Sequence, residues 1–282
     1  MQSLTTADGL TLAFRSWPTD APARGTVLIV HGLGEHIGRY AAVAAQLNAC
    51  GWAVAGYDQR GHGESGGARG TIADDASLLD DLGRVVDAVR ASNPTPLVLL
   101  GHSMGGLVAA RYVAEGLAPR PAPWWRPLDA LVLSSPALDI GMSGAQKALL
   151  AVLGPLLPDL RMSNGLKPQW VSRDPAVVAA YIADPLVHDR VTPRLVRFMV
   201  DGGELARTAA PRWQLPTLLL YAGADRCVAP RGSEAFANAA PASLVSATRY
   251  DGLAHEIFNE PERQRVLADL TRWLAARAHP AH

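Results

Sequence analysis

The sequence is poor in cysteine and carries no excess of charge of either sign. Its two cysteines, Cys50 and Cys227, are too few for a disulfide framework and lack the spacing of metal ligands. The 26 basic residues balance the 26 acidic ones, and no basic stripe is visible, so we expect no nucleic-acid partner. A reducing compartment is the simplest setting for such a chain.

Long hydrophobic runs and targeting signals are also missing. No segment reaches the ~18 uninterrupted apolar residues of a membrane span, and the nearest, 148–160, is interrupted by Pro155 and Pro158. The first residues lack the basic and apolar regions of a signal peptide, so we expect a cytoplasmic location. Hydrophobic residues nevertheless make up 49% of the chain, which is enough for a sizeable buried core.

What the sequence does contain is an alternation of short apolar runs and helical patterns. The predicted buried strands are 26–32, 52–58, 96–103, 128–138, 216–225 and 243–250. Helical periodicity follows most of them, and the last predicted helix is 261–278. This alternation predicts an α/β fold, with a mostly parallel central sheet flanked by helices. Residues 9–18 alternate in polarity, which favours an antiparallel edge formed with the first few residues.

One long stretch of about 75 residues interrupts the alternation between the fourth and fifth of these strands. Connections in such folds are normally far shorter, so residues 139–212 are predicted to form an inserted helical cap, or lid. Ligands bind beyond the carboxyl ends of the strands in open α/β sheets, which is where such a cap would lie. Residues 1–138 and 213–282 then form the core.

Two segments match the G-x-S-x-G pattern of serine hydrolases, and only one has the required surroundings. Ser103 lies directly between a predicted strand and a helical pattern, as a nucleophile elbow requires. Ser65 lies in a glycine-rich loop several residues past its strand, with no helical pattern after it. We therefore predict Ser103 as the nucleophile, at a helix N-terminus that faces the developing negative charge.

A serine nucleophile needs a base, and in this fold the acid and then the histidine follow the serine along the chain. His255 comes just after the sixth predicted strand and is predicted as the general base. Asp225 ends the fifth strand and is predicted to orient the imidazole. Asp251 is the rival acid, whereas Asp201 lies within the predicted cap and is disfavoured.

Two backbone N–H groups are predicted to form the oxyanion hole. Met104 follows the nucleophile, and Leu33 lies in the loop after the first buried strand, which are the two positions this fold uses. None of the remaining histidines has other potential metal ligands at a suitable spacing, so we expect neither a metal nor a cofactor. Cys227 is either a plain buried thiol, the simpler interpretation, or a group whose modification would affect the site.

Six segments together resemble the monoacylglycerol lipase and lysophospholipase group of serine α/β-hydrolases. They are HGLGEHIGRY (31–40), YDQRGHGES (57–65), LGHSMGG (100–106), ADPLV (183–187), YAGADRCV (221–228) and HEIFNEPE (255–262). The resemblance extends from about residue 9 to 275 and implies the α/β-hydrolase fold with a cap. Position by position, it implies a triad of Ser103, Asp225 and His255 and oxyanion donors at Leu33 and Met104.

The resemblance also implies an apolar tunnel for an acyl chain in the cap. The stretch 148–160, which includes Leu149, Leu150 and Leu153, either contributes to such a surface, facing substrate or membrane, or simply packs the cap on the core. In this family the Glu and Arg of the GEHxxRY segment help to shape the polar end of the pocket.

In this chain those two residues are Glu35 and Arg39, and a salt bridge within their own loop is the alternative. Phe258 stands where some monoacylglycerol lipases have a second histidine for the glycerol end. Ester hydrolysis is therefore a firmer expectation than glycerol recognition, and Phe258 is predicted to border the site.

The predicted function is hydrolysis of single-chain lipid esters, with monoacylglycerols as the first choice. Lysophospholipase, general carboxylesterase and peptidase-like activities are alternatives within the same acyl-enzyme chemistry. A non-catalytic ligand-binding protein on the same fold is the remote alternative. The cap is the surface expected to make any transient contact with a membrane, and the sequence indicates no oligomeric state.

Overall fold

The computed structural model describes residues 2–20, 22–93 and 96–277. The strands are β1 (Gln2–Thr5), β2 (Thr11–Trp17), β3 (Thr26–Val30), β4 (Ala53–Tyr57), β5 (Leu97–His102), β6 (Ala130–Ser134), β7 (Met162–Ser163), β8 (Arg190–Val191), β9 (Thr217–Ala222) and β10 (Val245–Tyr250). The α-helices are α1 (Ala41–Ala49), α2 (Ser77–Ser92), α3 (Ser103–Gly116), α4 (Gly144–Leu153), α5 (Pro175–Ala183), α6 (Pro193–Ala209), α7 (Pro230–Ala239) and α8 (Arg263–Ala275). Short 3-10 helices lie at Ile37–Tyr40, Pro168–Trp170 and Ala210–Arg212.

Eight strands form one sheet in the order β1-β2-β4-β3-β5-β6-β9-β10. β2 pairs antiparallel with both β1 and β4, and every other neighbouring pair in this sheet is parallel. The predicted mostly parallel sheet is confirmed, and so is the antiparallel edge formed by the first residues. β7 and β8 form a separate antiparallel pair.

The parallel strands are apolar throughout because alternate residues enter two cores on opposite faces of the sheet. On β3, Val27 and Ile29 pack in the core that α1 and α8 cover. Leu28 and Val30 point the other way, into the core covered by α2, α3, α6 and α7. Burial on both faces is what removes the polar alternation of a half-exposed strand. The predicted α/β class is therefore confirmed.

Several observed strands are shorter than their apolar runs. The run 128–138 gives a strand only at Ala130–Ser134, and the run 216–225 gives one only at Thr217–Ala222. The chain leaves the sheet after Ser134 because Ser135 takes a left-handed conformation, with φ of 38°. The apolar residues that follow are buried in loops at the carboxyl edge rather than in the sheet.

The segment between β6 and β9 contains α4, α5, α6 and the β7–β8 pair. α6 packs on α3, and its residues Leu195, Phe198 and Ala206 are buried in the core. α5 buries none of its residues, and the described side chains of α4 are exposed except for the half-buried Leu150. The segment is thus anchored through α6, whereas the domain boundaries at 139 and 212 stay a prediction.

The part of the chain that the structure describes contains no helix long and apolar enough to cross a membrane. Met1 and residues 278–282 belong to the predicted core and lie outside the described residues. So does the last residue of the helix predicted at 261–278, and α8 is observed at Arg263–Ala275.

Candidate active site

The turn between β5 and α3 carries Ser103. β5 ends at His102 and α3 begins at Ser103, whose φ of 52° lies in the left-handed region that a non-glycine residue rarely adopts. A Cβ at Gly101 would lie 2.4 Å from the carbonyl oxygen of Gly105, and one at Gly105 would lie 2.1 Å from the carbonyl oxygen of Val30. Both glycines are therefore required for this tight, strained turn.

An aspartate and a histidine meet on two neighbouring loops. Asp225 follows β9 and His255 follows β10, and Nδ1 of His255 lies 2.7 Å from Oδ2 of Asp225. The other carboxylate oxygen, Oδ1, accepts the N–H groups of Cys227 at 2.8 Å and Val228 at 3.0 Å. The two side chains are only 1% and 7% exposed. A carboxylate fixed in this way orients the imidazole with Nδ1 as donor, which leaves Nε2 to accept a proton.

Ser103 and His255 line the same small pocket, together with Leu33 and Cys227. His102, which precedes Ser103 in the chain, lines this pocket as well, and its ring centroid lies 4.8 Å from that of His255. Within the described residues no hydrogen bond joins the Ser103 hydroxyl to His255. Such bonds are often long before substrate binds, so the arrangement remains compatible with proton transfer.

Burial and charge act in opposite directions on the pKa of His255. Burial disfavours the imidazolium, but the negative charges of Asp225, Glu256 and Glu35 outweigh it and raise the pKa above its usual value. The neighbouring His102 behaves differently, because burial and the charge of His255 lower its pKa to about 4. His102 is therefore neutral at physiological pH, whereas His255 is poised to take up a proton.

The residues considered as rivals have other partners. Asp251 is 83% exposed and pairs with Arg249. Asp201 is exposed on α6 and pairs with Arg197. Ser65 is buried, and its hydroxyl accepts the N–H of Ala13 and donates to the carbonyl of Asp58. Each of these contacts is made with a residue other than His255 or Asp225.

The two predicted oxyanion donors, Leu33 and Met104, border a cavity beside Ser103. Met104 is the second residue of α3, where an N–H has no partner within the helix. The loop of Leu33 is held by Glu35, whose Oε1 accepts the N–H of Gly32 at 2.6 Å and the hydroxyl of Tyr40 at 2.7 Å. The loop is thus fixed in advance, as an oxyanion site requires.

Glu35 and Arg39 form an ion pair, which is one of the two arrangements predicted for them. Glu256 also pairs with Arg39. Nη1 of Arg39 lies 2.8 Å from Glu35, and the guanidinium meets both carboxylate oxygens of Glu256, at 2.6 and 2.8 Å. Burial opposes ionisation of Glu35, but Arg39 and His102 outweigh it and lower its pKa to about 2. Glu35 and Glu256 also line the small pocket, so this end of the site is more polar than the cavity beside α4.

A larger cavity of about 400 Å³ extends from Ser103 to α4. Its lining includes Leu149 and Leu150, and their role in acyl binding stays a prediction. The side chain of Leu153 lies outside the described residues. Phe258 does not border this cavity. It is buried in the core covered by α1 and α8, where it lines a narrow gap beside Glu35, His102 and Glu256. The few residues after His255 show no hydrophobic pattern long enough to predict which way the side chain of Phe258 points.

Four of the five methionines in the sequence line this same cavity: Met104, Met142, Met162 and Met199. They lie in four separate parts of the chain, so no local sequence pattern predicts that they share one cavity. Methionine is unbranched and polarisable, and it fills irregular apolar space without fixing one shape. A cavity wall rich in methionine can therefore adapt its shape to a flexible acyl chain.

The comparisons with known proteins agree with this geometry. The family model described as serine aminopeptidase, S33, matches residues 21–262. The chain belongs to this family. It is 37% identical over 276 residues to the monoacylglycerol lipase of Mycolicibacterium smegmatis, covering 95% of this chain and 94% of that protein. It is 31% identical over 254 residues to the phospholipase YtpA of Bacillus subtilis, covering 89% and 95%.

Among solved structures, the monoacylglycerol lipase of Paleococcus ferrophilus matches with a TM-score of 0.82 and 35% identity, over 95% of this chain and 99% of that one. The enzyme therefore belongs to the monoacylglycerol lipase group of serine α/β-hydrolases, as the resemblance implied. Its fold is the α/β-hydrolase fold, and its activity is that of a carboxylic ester hydrolase. The predicted class and fold are both confirmed.

One cluster in this α/β-hydrolase invites a different interpretation. Ligand atoms of Asp225, Cys227 and His255 lie within 4.8 Å of one another, close enough to hold a metal ion. A metal needs the thiolate, however, and burial together with the charges of Asp225 and Glu256 raises the pKa of the Cys227 thiol well above its usual value. The carboxylate of Asp225 already accepts three N–H donors. The cluster therefore fits a hydrogen-bonded pair of Asp225 and His255 beside a neutral Cys227 thiol better than it fits a metal site.

Proposed function

We propose that the enzyme hydrolyses esters of single-chain lipids and that monoacylglycerols are its preferred substrates. One observation carries the proposal: Ser103 borders both an apolar cavity of about 400 Å³ and a small polar pocket. A single acyl chain suits the first, and a small uncharged polar head group suits the second. The names of the relatives in Mycolicibacterium smegmatis and Paleococcus ferrophilus support the same substrate class.

In the proposed mechanism Ser103 attacks the ester carbonyl while Nε2 of His255 takes its proton. Asp225 stabilises the imidazolium without becoming protonated itself. The N–H groups of Leu33 and Met104 hold the oxyanion of the tetrahedral intermediate. His255 then gives its proton to the departing alcohol, and water cleaves the acyl-enzyme by the same steps in reverse order. These steps use no metal and no cofactor.

Residues 139–212 are proposed to act as the cap. Gln146, Leu149 and Leu150 of α4 line the cavity that begins at Ser103, so this helix forms part of the wall around a bound acyl chain. The exposed apolar side chains of this segment are Leu149, Val152, Leu156, Leu157, Leu160, Met162 and Ile182. Such a surface suits transient contact with the lipid phase that supplies the substrate, for a cytoplasmic enzyme peripheral to the membrane.

Phospholipid-type substrates are the second candidate, and the relative named phospholipase YtpA is the observation that favours them. Peptidase activity, which the family description suggests, is less well supported. A free amino terminus needs an unpaired acid, but Glu35 and Glu256 are both bound to Arg39. The polar pocket therefore offers a peptide no free carboxylate from this pair.

The function is tested by comparing kcat/KM on substrates that share one acyl chain. We expect 1-monoacylglycerols to be hydrolysed faster than the matching lysophosphatidylcholines, because the polar pocket is small. A preference for the lysophospholipid would favour the second candidate. Turnover of aminoacyl anilides alone would indicate a peptidase, and no turnover of any ester would contradict the proposal outright.

Narrowing the apolar cavity should change the preferred chain length. Val196 is half-buried and lines the cavity from α6, which is anchored on the core. In Val196→Phe we expect the rate on long-chain monoacylglycerols to fall about tenfold relative to short-chain ones, since the added ring occupies acyl space. Val152→Phe is the matched control, because Val152 is exposed and does not line the cavity. An equal effect on all chain lengths would show that the acyl chain lies elsewhere.

A further inference from the structure

The guanidinium of Arg39 touches three parts of the chain that build the site. It pairs with Glu35 in the loop that carries Leu33, and with Glu256 in the loop that carries His255. It also lies over the ring of Tyr181 on α5, 4.8 Å from the centroid. Arg39 and Glu256 are 217 residues apart in sequence, so their contact exists only in the folded protein.

Glu256 fixes the backbone next to His255 from two sides. Its carboxylate meets Arg39 through two parallel hydrogen bonds, which is the geometry with the greatest directional control. Its N–H donates to the carbonyl of Val171 at 2.8 Å, and Oε2 also accepts from Asn259 at 2.9 Å. The hydrogen bond that His255 donates to Asp225 sets the rotation of the imidazole ring. The position of that ring also depends on the backbone that Glu256 holds.

We propose that Arg39 and Glu256 act as a positioning pair, which holds the loop of the general base against the loop of the oxyanion donor. Glu35 completes the connection, because it binds Arg39 and the N–H of Gly32 at once. Neither Arg39 nor Glu256 transfers a proton or forms a bond in the reaction. The proposal rests on the proposed roles of His255 and Leu33, and it adds a residue pair that the catalytic scheme does not contain.

The pair also has an electrostatic consequence for His255. The charged and titratable groups around this imidazole are Asp225, Glu256, Glu35, His102 and Cys227, with Arg39 paired to the two glutamates. Glu256 is one of the charges that raise the pKa of His255. The base works only when neutral, so removing this charge should move the acid limb of the kcat/KM profile to lower pH.

The test is Glu256→Gln, measured as kcat and KM on a soluble p-nitrophenyl ester from about pH 5 to 9. On the pH plateau we expect kcat to fall about tenfold or more with KM within about twofold, because small misplacements of a base are costly. The acid limb should move to lower pH. In Glu256→Asp the charge is kept, so the limb should remain near that of the wild type while kcat is only partly lowered.

Glu262→Gln is the matched control, since Glu262 is exposed nearby and pairs with Arg173 rather than with the site. It should leave kcat and the acid limb unchanged. Fluorophosphonate labelling carried to its end point counts the folded sites of each variant, because a slower base delays labelling without lowering its final extent. If Glu256→Gln does not fold, Arg39→Lys replaces it, because an ammonium cannot make the two parallel bonds.

The experiment distinguishes an error in the proposed function from an error in the proposed positioning pair. If the wild type neither hydrolyses esters nor reacts with the fluorophosphonate, the proposed function is wrong. If the wild type does both, and Glu256→Gln keeps the wild-type kcat per labelled site and the wild-type acid limb, then only the positioning pair is wrong. A loss of folded protein with no change per labelled site would show a merely structural ion pair, which also contradicts the proposal.

Discussion

Replacing Ser103 with alanine should lower kcat for ester hydrolysis by about 10⁴-fold or more, without unfolding the protein. The hydroxyl is the proposed nucleophile, and its loss removes the covalent step. Ser103 sits in a left-handed conformation that alanine tolerates no better than serine, so the strain of the turn should be the same in both proteins. The measurement is kcat on p-nitrophenyl esters together with fluorophosphonate labelling, and labelling should vanish with activity.

Ser65→Ala is the control for this prediction, because it changes the other serine that matches G-x-S-x-G. Ser65 is buried and makes two hydrogen bonds to the backbone, so its loss should cost about 1–3 kcal/mol of unfolding free energy. The folded fraction should still label and hydrolyse at the wild-type rate. The reverse pattern, with Ser103→Ala active and Ser65→Ala inert, would refute the assignment of the nucleophile.

The positions of Ser103, Asp225 and His255 could be predicted because a parallel sheet gathers the residues that follow its strands. Ser103 comes directly after β5, whereas Asp225 and His255 lie in the loops that follow β9 and β10. The carboxyl ends of parallel strands lie on one edge of the sheet. The order along the chain then left few candidates. The distance between Asp225 and His255 could not be predicted, because it depends on how two loops of irregular conformation fold back towards each other.

The contacts that could not be predicted from the sequence join residues that lie far apart along the chain. Glu256 was adjacent to the predicted base, yet its partner Arg39 lies at the other end of the chain, and no period or spacing links them. Phe258 occupies the position of the second histidine of some monoacylglycerol lipases, and its side chain packs in the core beside Glu35 and Glu256. α6 lies within the predicted cap by its sequence position, and the structure shows that its residue Phe198 packs with the core.

Asp225→Asn should lower kcat by about 10⁴-fold, nearly as much as loss of the serine. The reason lies in the partners of the carboxylate. Oδ1 accepts the N–H groups of Cys227 and Val228, so an asparagine must keep its carbonyl oxygen there. Its NH₂ group would then face Nδ1 of His255, which must accept a hydrogen bond. The ring proton moves to Nε2, and the nitrogen that should take the proton of Ser103 no longer can.

This prediction separates a tautomer effect from a loss of structure, because the asparagine keeps the shape of the side chain and its two bonds to the backbone. The fluorophosphonate labelling rate should fall in parallel with kcat, since both need the activated serine. Asp251→Asn is the control: Asp251 is exposed and pairs only with Arg249 in the described residues, so its loss should change kcat less than about twofold. If Asp225→Asn stays active while Asp251→Asn does not, the acid of the triad is Asp251, and the hydrogen bond between Asp225 and His255 is a structural contact alone.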